Sequence, residues 1–273
     1  MIQCRTVMYL DVSFSVILLI VIVLLYYCYS SILPYINIDR FEKKNKAKFL
    51  VVTDDFWSDK KFSLIKLYYK RYIIDIDDDE AFQMWFGRVI EEGIRRLDIV
   101  VHTYGGSIVS SDIIIKNLLD FDGTVNIYVP YRALSAGTRL MLVGDYIYMN
   151  DYSLASPMDP QVTLIDSDMM QFSVKSLLRY VDIKGIKKVR DTTGLQYIEH
   201  KKLFDDNIRI LNMILKRKYG RRVSNNIIKK LGYGNIPHHI PHSPVELRRI
   251  GLPIRRNVPK NITTLFNILI TMS

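Results

Sequence analysis

The strings "HTYGGSIVSSD" (102–112) and "YVPYRALSAGT" (128–138) each place small residues where a β-type run gives way to a helix-like one. The second carries a hydroxyl, Ser135, followed directly by Ala136 and Gly137. Acyl transfer to a serine needs such a hydroxyl on a sharp turn, two backbone N–H groups aimed at the developing oxyanion, and a base for the proton. Gly105 and Gly106 can bring bare backbone N–H groups against a substrate carbonyl, because no Cβ intervenes. Ala136, at a helix start, offers another, since the donors of a first helical turn lack intrahelical partners. A serine in this position is also the ordinary N-cap of a helix. The spacing alone therefore supports a reacting serine and a capping one.

These strings sit in an alternating pattern of elements. "KFLVVTDD" (48–55) and "YYKRYIIDI" (68–76) read as strands, and "AFQMWFGRVIEEGIRR" (81–96) as a helix. Strand "LDIVVHT" (97–103), helix "IVSSDIIIKNLLDF" (108–121), strand "TVNIYVP" (124–130), helix "RLMLVG" (139–144) and strand "YIYM" (146–149) follow. Strands alternating with helices imply an α/β fold with a mainly parallel sheet. Ligands of such sheets collect outside the carboxyl ends of the strands. The glycine pair and Ser135–Ala136 occupy equivalent strand-to-helix junctions, so both motifs are expected at one cleft. Asp77, Asp78, Asp79 and Glu80 open the first of these helices, where acidic residues complement the macrodipole. No ligand loop with an essential glycine follows them, which argues against a metal cluster. From about Leu164 the chain reads as mostly helical, ending in a Pro/His-rich loop and a short tail.

Composition narrows the chemistry further. With 49% hydrophobic and 24% charged residues in 273, the chain can bury a sizeable core. Its two cysteines, Cys4 and Cys28, precede the folded part, so no disulfide framework, CxxC metal site or thiol nucleophile is expected in the domain. The net charge of +10 is concentrated between Lys175 and Lys230, where 16 Lys and Arg face 5 Asp and Glu. That segment reads as a solvated helical face, or as one suited to an anionic membrane surface. It lacks the interleaved aromatic residues of a single-strand binder, so no nucleic acid is expected. Among the five histidines, His102 ends a strand just before the glycines and is read as fixing that loop by hydrogen bonds, with an orienting or substrate-binding role as the alternative. His238, His239 and His242, in the proline-bearing "PHHIPHS", read as a structural loop rather than a zinc site, and no metal or cofactor is expected.

The run 12–38, "VSFSVILLIVIVLLYYCYSSILPYINI", contains no charged residue. About 20 helical residues cross a ~30 Å hydrocarbon layer, so the run is expected to be a single-pass membrane anchor. A cleaved signal peptide would have a shorter apolar region followed by a small-x-small site. Arg40, Lys43, Lys44, Lys46 and Lys48 follow the run and only Arg5 precedes it, which places the domain beyond it on the cytosolic side. The expected layout is an N-terminal tail (1–11), the anchor (12–38), a basic linker (39–47), the main folded domain (48–255) and a C-terminal tail (256–273).

Three ordered blocks carry a family resemblance: "HTYGGSIVSSD" (102–112), "VPYRALSAGTRLMLVGDYIYMNDYSLASPMDPQ" (129–161) and "GYGNIPHHIPHSPVELRRIGLP" (232–253). Together they resemble the serine dehydrogenase proteinase family of the Clp protease/crotonase-like superfamily, akin to signal peptide peptidase A. The resemblance covers roughly residues 48–255. It implies a core of repeated β-β-α units, a polypeptide substrate and a homo-oligomer. It also implies Ser135 as nucleophile and the N–H groups of Gly106, beside Gly105, and of Ala136 as the oxyanion hole. Tyr104, Leu134 and Ser156 stand where the family commonly has proline, methionine and glycine, and Tyr104 is expected to narrow the groove.

The Clp-type histidine has no counterpart here, since position 160 is proline and its neighbour is Asp159. Related signal-peptide peptidases use a Ser–Lys dyad, with the lysine some 40–50 residues after the serine. Lys175 lies 40 residues after Ser135, among Phe172, Val174, Leu177 and Leu178. Apolar surroundings of that kind lower a lysine pKa, so the neutral amine can accept the serine proton. Asp159 is read as orienting the lysine, binding the peptide backbone, or serving as a turn residue before Pro160. Two other functions stay open: a catalytically silent scaffold of the same fold, and a crotonase-type acyl-CoA enzyme.

Overall fold

A computed structural model describes residues 16–23, 36–54, 72–164 and 170–271. Its centre is a six-stranded sheet in the order β10-β6-β4-β3-β1-β2. The strands are β1 (Lys48–Thr53), β2 (Ile73–Asp75), β3 (Arg96–His102), β4 (Thr124–Val129), β6 (Tyr146–Met149) and β10 (Ile254–Arg256). Every pairing in this sheet is parallel. The registers Thr53↔His102 and Val129↔Met149 set the carboxyl ends side by side. Two small pairs flank it: β5 (Arg132–Ala133) with β7 (Leu154–Ala155), parallel, and β8 (Gln161–Leu164) with β9 (Met170–Ser173), antiparallel.

Parallel strands need both faces covered, and their buried residues are accordingly mostly apolar. The period of two sorts them: Leu50 and Val52 of β1 face one cluster, Phe49 and Val51 the other. The first cluster takes Phe82, Trp85 and Val89 from α3 (Asp79–Glu91), and Ile114 and Leu118 from α4 (Ile108–Leu119). Leu140 of α5 (Ala136–Met141) and Leu211, Ile214 and Leu215 of α7 (Asp191–Ile227) join them. α7 breaks at Gly220, whose φ is 72°. α6 (Val174–Lys184) packs as a hairpin on α7 around Leu177 and Val181, and α8 (Pro244–Arg249) adds Leu247 to the main core.

The opposite face is covered by two helices that the sequence reading placed outside the domain. Residues 36–45 form helix α2, not a linker, and bury Ile38 and Phe41. The expected C-terminal tail is largely helix α9 (Lys260–Thr271). Its Ile262, Leu265, Phe266 and Leu269, spaced i, i+3, i+4 and i+7, are all buried in the same cluster. At about 1.5–3 kcal/mol per buried side chain of this size, α9 is part of the core.

The structure contradicts the expected single-pass anchor. Among the described residues no helix is long and apolar enough to cross a membrane. Of the residues before 36, those described are 16–23, which are helical (α1). The far end of the expected span, Ile36–Ile38, lies in α2, with Ile38 fully buried against the sheet. The rest of 12–38 lies outside the described residues.

Candidate active site

The two motifs meet because β5 runs alongside the end of β3. Thr103 bridges to Ala133, its N–H donating to Arg132 O at 3.3 Å and its carbonyl accepting from Leu134 N–H at 3.0 Å. That pairing brings Ser135 against Gly105. A Cβ built on Gly105 would lie 2.8 Å from Ser135 Cβ and 3.3 Å from its Oγ. Gly105 also holds φ at +130°, a region that L side chains rarely adopt. Both requirements select glycine.

Ser135 is strained. Its φ of 50° and ψ of −115° lie outside the regions open to residues with a Cβ. Its side chain makes no capping hydrogen bond to α5. The elbow is held from outside: Ser135 N–H donates to Ser156 Oγ at 2.8 Å, and Ser156 N–H to Thr138 Oγ1 at 3.1 Å. Thr138 Oγ1 in turn donates to Ala133 O at 2.6 Å, closing the turn on itself. Ser156, present where glycine is common in the resembling family, is thus a structural partner of the serine that sequence reasoning missed.

The glycine loop is fixed as tightly. Thr103 Oγ1 accepts from Gly105 N–H at 2.9 Å, and Tyr104 N–H donates to Asp54 Oδ2 at 3.1 Å. A proline at 104 could not supply that donor. The Tyr104 ring lies under the Arg132 guanidinium, 3.6 Å from ring centroid to Cζ, and stays 63% exposed beside the glycines. Ser107 N–H donates to Asp77 Oδ1. A Cβ on Gly106 would meet that carboxylate oxygen at 2.3 Å. The acidic run therefore divides its work. Asp77 holds the loop, while Asp78 caps α3 by accepting from Ala81 N–H at 2.9 Å. Among the described residues no group of acidic, histidine or cysteine side chains could hold a metal. The N–H groups of Gly106 and Ala136 donate to no other protein group among the described residues.

Beneath the elbow, Arg139 is 1% exposed, and its guanidinium is bound by Asp112 of α4 and Asn207 of α7. Burial pulls the Arg139 pKa down and pushes that of Asp112 up, in each case outweighing the attraction between them. The pair joins the helix after the glycines to the helix after the serine.

The other expected site residues lie as follows. His102 packs edge-on to Tyr131 and against Phe266 of α9, on the far face of the sheet. Among the described residues its buried Nδ1 has no hydrogen-bond partner. Burial, and then the nearby Arg132, lower its pKa to about 4. Lys175 sits in the first turn of α6 and is joined to Ser135 by no hydrogen bond. Its Nζ donates to Asn235 Oδ1 at 2.6 Å and lies 5.5 Å from the Tyr233 ring centroid, a more polar setting than its sequence neighbours suggested. Asp159 is 2% exposed and accepts from His238 Nδ1 and Gln161 Nε2, each at 3.0 Å. Val174 N–H donates to Pro160 O at 2.9 Å, which ties the start of α6 to the segment that carries Asp159.

Two uncharacterized proteins of Methanocaldococcus jannaschii are 29% and 28% identical over 174 and 172 residues, covering 64% and 63% of this chain. The chain spans 58% and 56% of the length of those relatives. Among solved structures, a mutant of the 1510-N membrane-bound stomatin-specific protease matches 78% of this chain and 81% of its own, at 14% identity and a TM-score of 0.46. The model of the ClpP-like SDH-type serine proteinases matches residues 6–271. With that match spanning nearly the whole sequence, the chain belongs to the ClpP-like SDH-type serine proteinase family.

Proposed function

We propose that this protein is a serine peptidase that hydrolyses polypeptides through an acyl-enzyme on Ser135. The observation that carries the reading is the serine itself: a strained elbow, a hydroxyl spared from capping, and Gly105 pressed against it. Residues held in sparsely populated conformations cost about 1–3 kcal/mol and persist at functional sites. A silent scaffold has no use for that strain. A crotonase-type acyl-CoA enzyme would need the two N–H groups but no hydroxyl.

In this mechanism Ser135 Oγ attacks the scissile carbonyl, and the oxyanion is received by the N–H groups of Gly106 and Ala136. Lys175 is the base, as a neutral amine that takes the Ser135 proton. The protonated lysine then delivers that proton to the leaving amine. Water attacks the ester by the reverse route and frees the serine. Nζ must close on Oγ as substrate binds, the tightening that apo catalytic groups commonly need. Self-association is part of the proposal, and the exposed apolar residues Ile183, Ile186 and Leu195 near the α6–α7 turn suit contacts between copies.

Cleavage of fluorescein-labelled casein by the full chain, by Ser135→Ala and by Lys175→Ala tests the reading. Loss of cleavage in both folded variants supports it. Activity equal to wild type in Ser135→Ala refutes it.

A further inference from the structure

Lys175 is steered by a segment that is distant in sequence. Asn235 presents its Oδ1 to Nζ because its Nδ2 is committed to the Lys229 carbonyl at 3.1 Å, which fixes the orientation of the amide. Tyr233, whose N–H donates to Ile228 O at 3.1 Å, sets its ring under the same nitrogen. Between them Gly234 turns the chain at φ +62°, and a Cβ there would lie 3.0 Å from Asp159 Oδ2. His238 closes the segment on the other oxygen of that carboxylate. Both oxygens of a nearly fully buried Asp159 are thus spent on this segment and on Gln161. Asp159 in turn belongs to the stretch 156–160. Ser156 of that stretch accepts from Ser135 N–H, Met158 N–H reaches Leu231 O at 2.7 Å, and Pro160 O anchors the start of α6.

We propose that residues 233–238 are a positioning arm for the lysine base. Asn235 and Tyr233 hold Lys175 Nζ, and the Asp159–His238 pair locks the arm onto the segment that fixes Ser135. The inference rests on Lys175 being the base. The arm aligns the amine and receives one N–H of the ammonium once the proton has arrived. Asn235 and Tyr233 are positioning residues; the proton itself passes between Ser135 Oγ and Nζ.

The test follows the labelling rate of the full chain by a fluorophosphonate probe across pH, in wild type, Lys175→Ala, Asn235→Ala and Asn235→Asp. Lys175→Ala is expected to lose labelling. Asn235→Ala is expected to label about 10–100-fold more slowly, the factor carried by one hydrogen bond to a charged group. Asn235→Asp restores the acceptor and adds a negative charge that favours the ammonium, so the acid limb of the profile moves to higher pH by about one to three units. A loop with only a structural role would give no such shift. Equal losses in both Asn235 variants with an unmoved profile overturn the proposal. Wild-type rates and profile in both, with Lys175→Ala silent, overturn the arm and leave the base reading standing. Wild-type labelling in Lys175→Ala overturns both.

Discussion

The strain at Ser135 can be read out as stability by comparing Ser135→Gly with Ser135→Ala. Alanine keeps the Cβ that makes φ 50°, ψ −115° unfavourable, so it removes the hydroxyl and leaves the strain. Glycine removes both, since it adopts positive φ without steric cost. The strain is worth about 1–3 kcal/mol. Against it stands the greater unfolded-state entropy of glycine, which at an ordinary position costs about 0.5–1 kcal/mol relative to alanine. The expected order is therefore inverted, with Ser135→Gly more stable than Ser135→Ala by about 0.5–2 kcal/mol. At roughly 2–4 °C per kcal/mol for a chain of this size class, the melting temperatures should differ by several degrees. Urea unfolding of both full-length variants, followed by circular dichroism, measures the difference directly. If Ser135→Gly proves the less stable of the two, the elbow is not strained and the main support for a reacting serine is gone.

Other positions give independent tests. Gly105→Ala places a Cβ at φ +130° and 2.8 Å from Ser135 Cβ, so urea unfolding should show a loss of about 1–3 kcal/mol, with fluorophosphonate labelling abolished. Arg139→Met leaves the Asp112 carboxylate without its cation and should destabilise by about 3 kcal/mol in the same assay. Adding Asp112→Leu should recover at least half of that loss. His102 gives a pH signature: its folded pKa of about 4 lies below the ordinary 6.5, so the unfolded chain binds the proton first. Its contribution is intact above pH 6.5 and is lost as pH falls toward 4. Discounted for partial solvent access, the loss is about 2 kcal/mol. Unfolding free energies of wild type and His102→Gln between pH 7 and 4 should diverge in that window.

The sheet was legible because buried parallel strands are continuous apolar runs, and β1, β3 and β4 lie within one or two residues of their expected limits. The two junctions were legible because paired glycines and a small-residue turn are local features. The partners that hold them are not local. Ser156, Asp77 and Asp54 reach the site by hydrogen bonds across 21, 30 and 50 residues, and nothing in their own neighbourhoods marks them. For Lys175 the apolar neighbours in sequence were a poor guide. They line the helix stem, while Nζ extends to Asn235, 60 residues away. At residues 36–38 a long apolar run concealed a change of role, since apolar residues serve a packed core as well as a bilayer. The i, i+3, i+4, i+7 pattern of α9 was present in the tail and carried the fold of that segment.

The central claim is that Ser135 is the nucleophile, and covalent capture tests it most directly. The full-length chain is treated with a fluorophosphonate, digested and mapped by mass spectrometry. The account predicts a single phosphonyl adduct on the peptide carrying Ser135, absent after prior denaturation and absent in Ser135→Ala. A folded protein that takes no adduct, or takes it at another residue, contradicts the account.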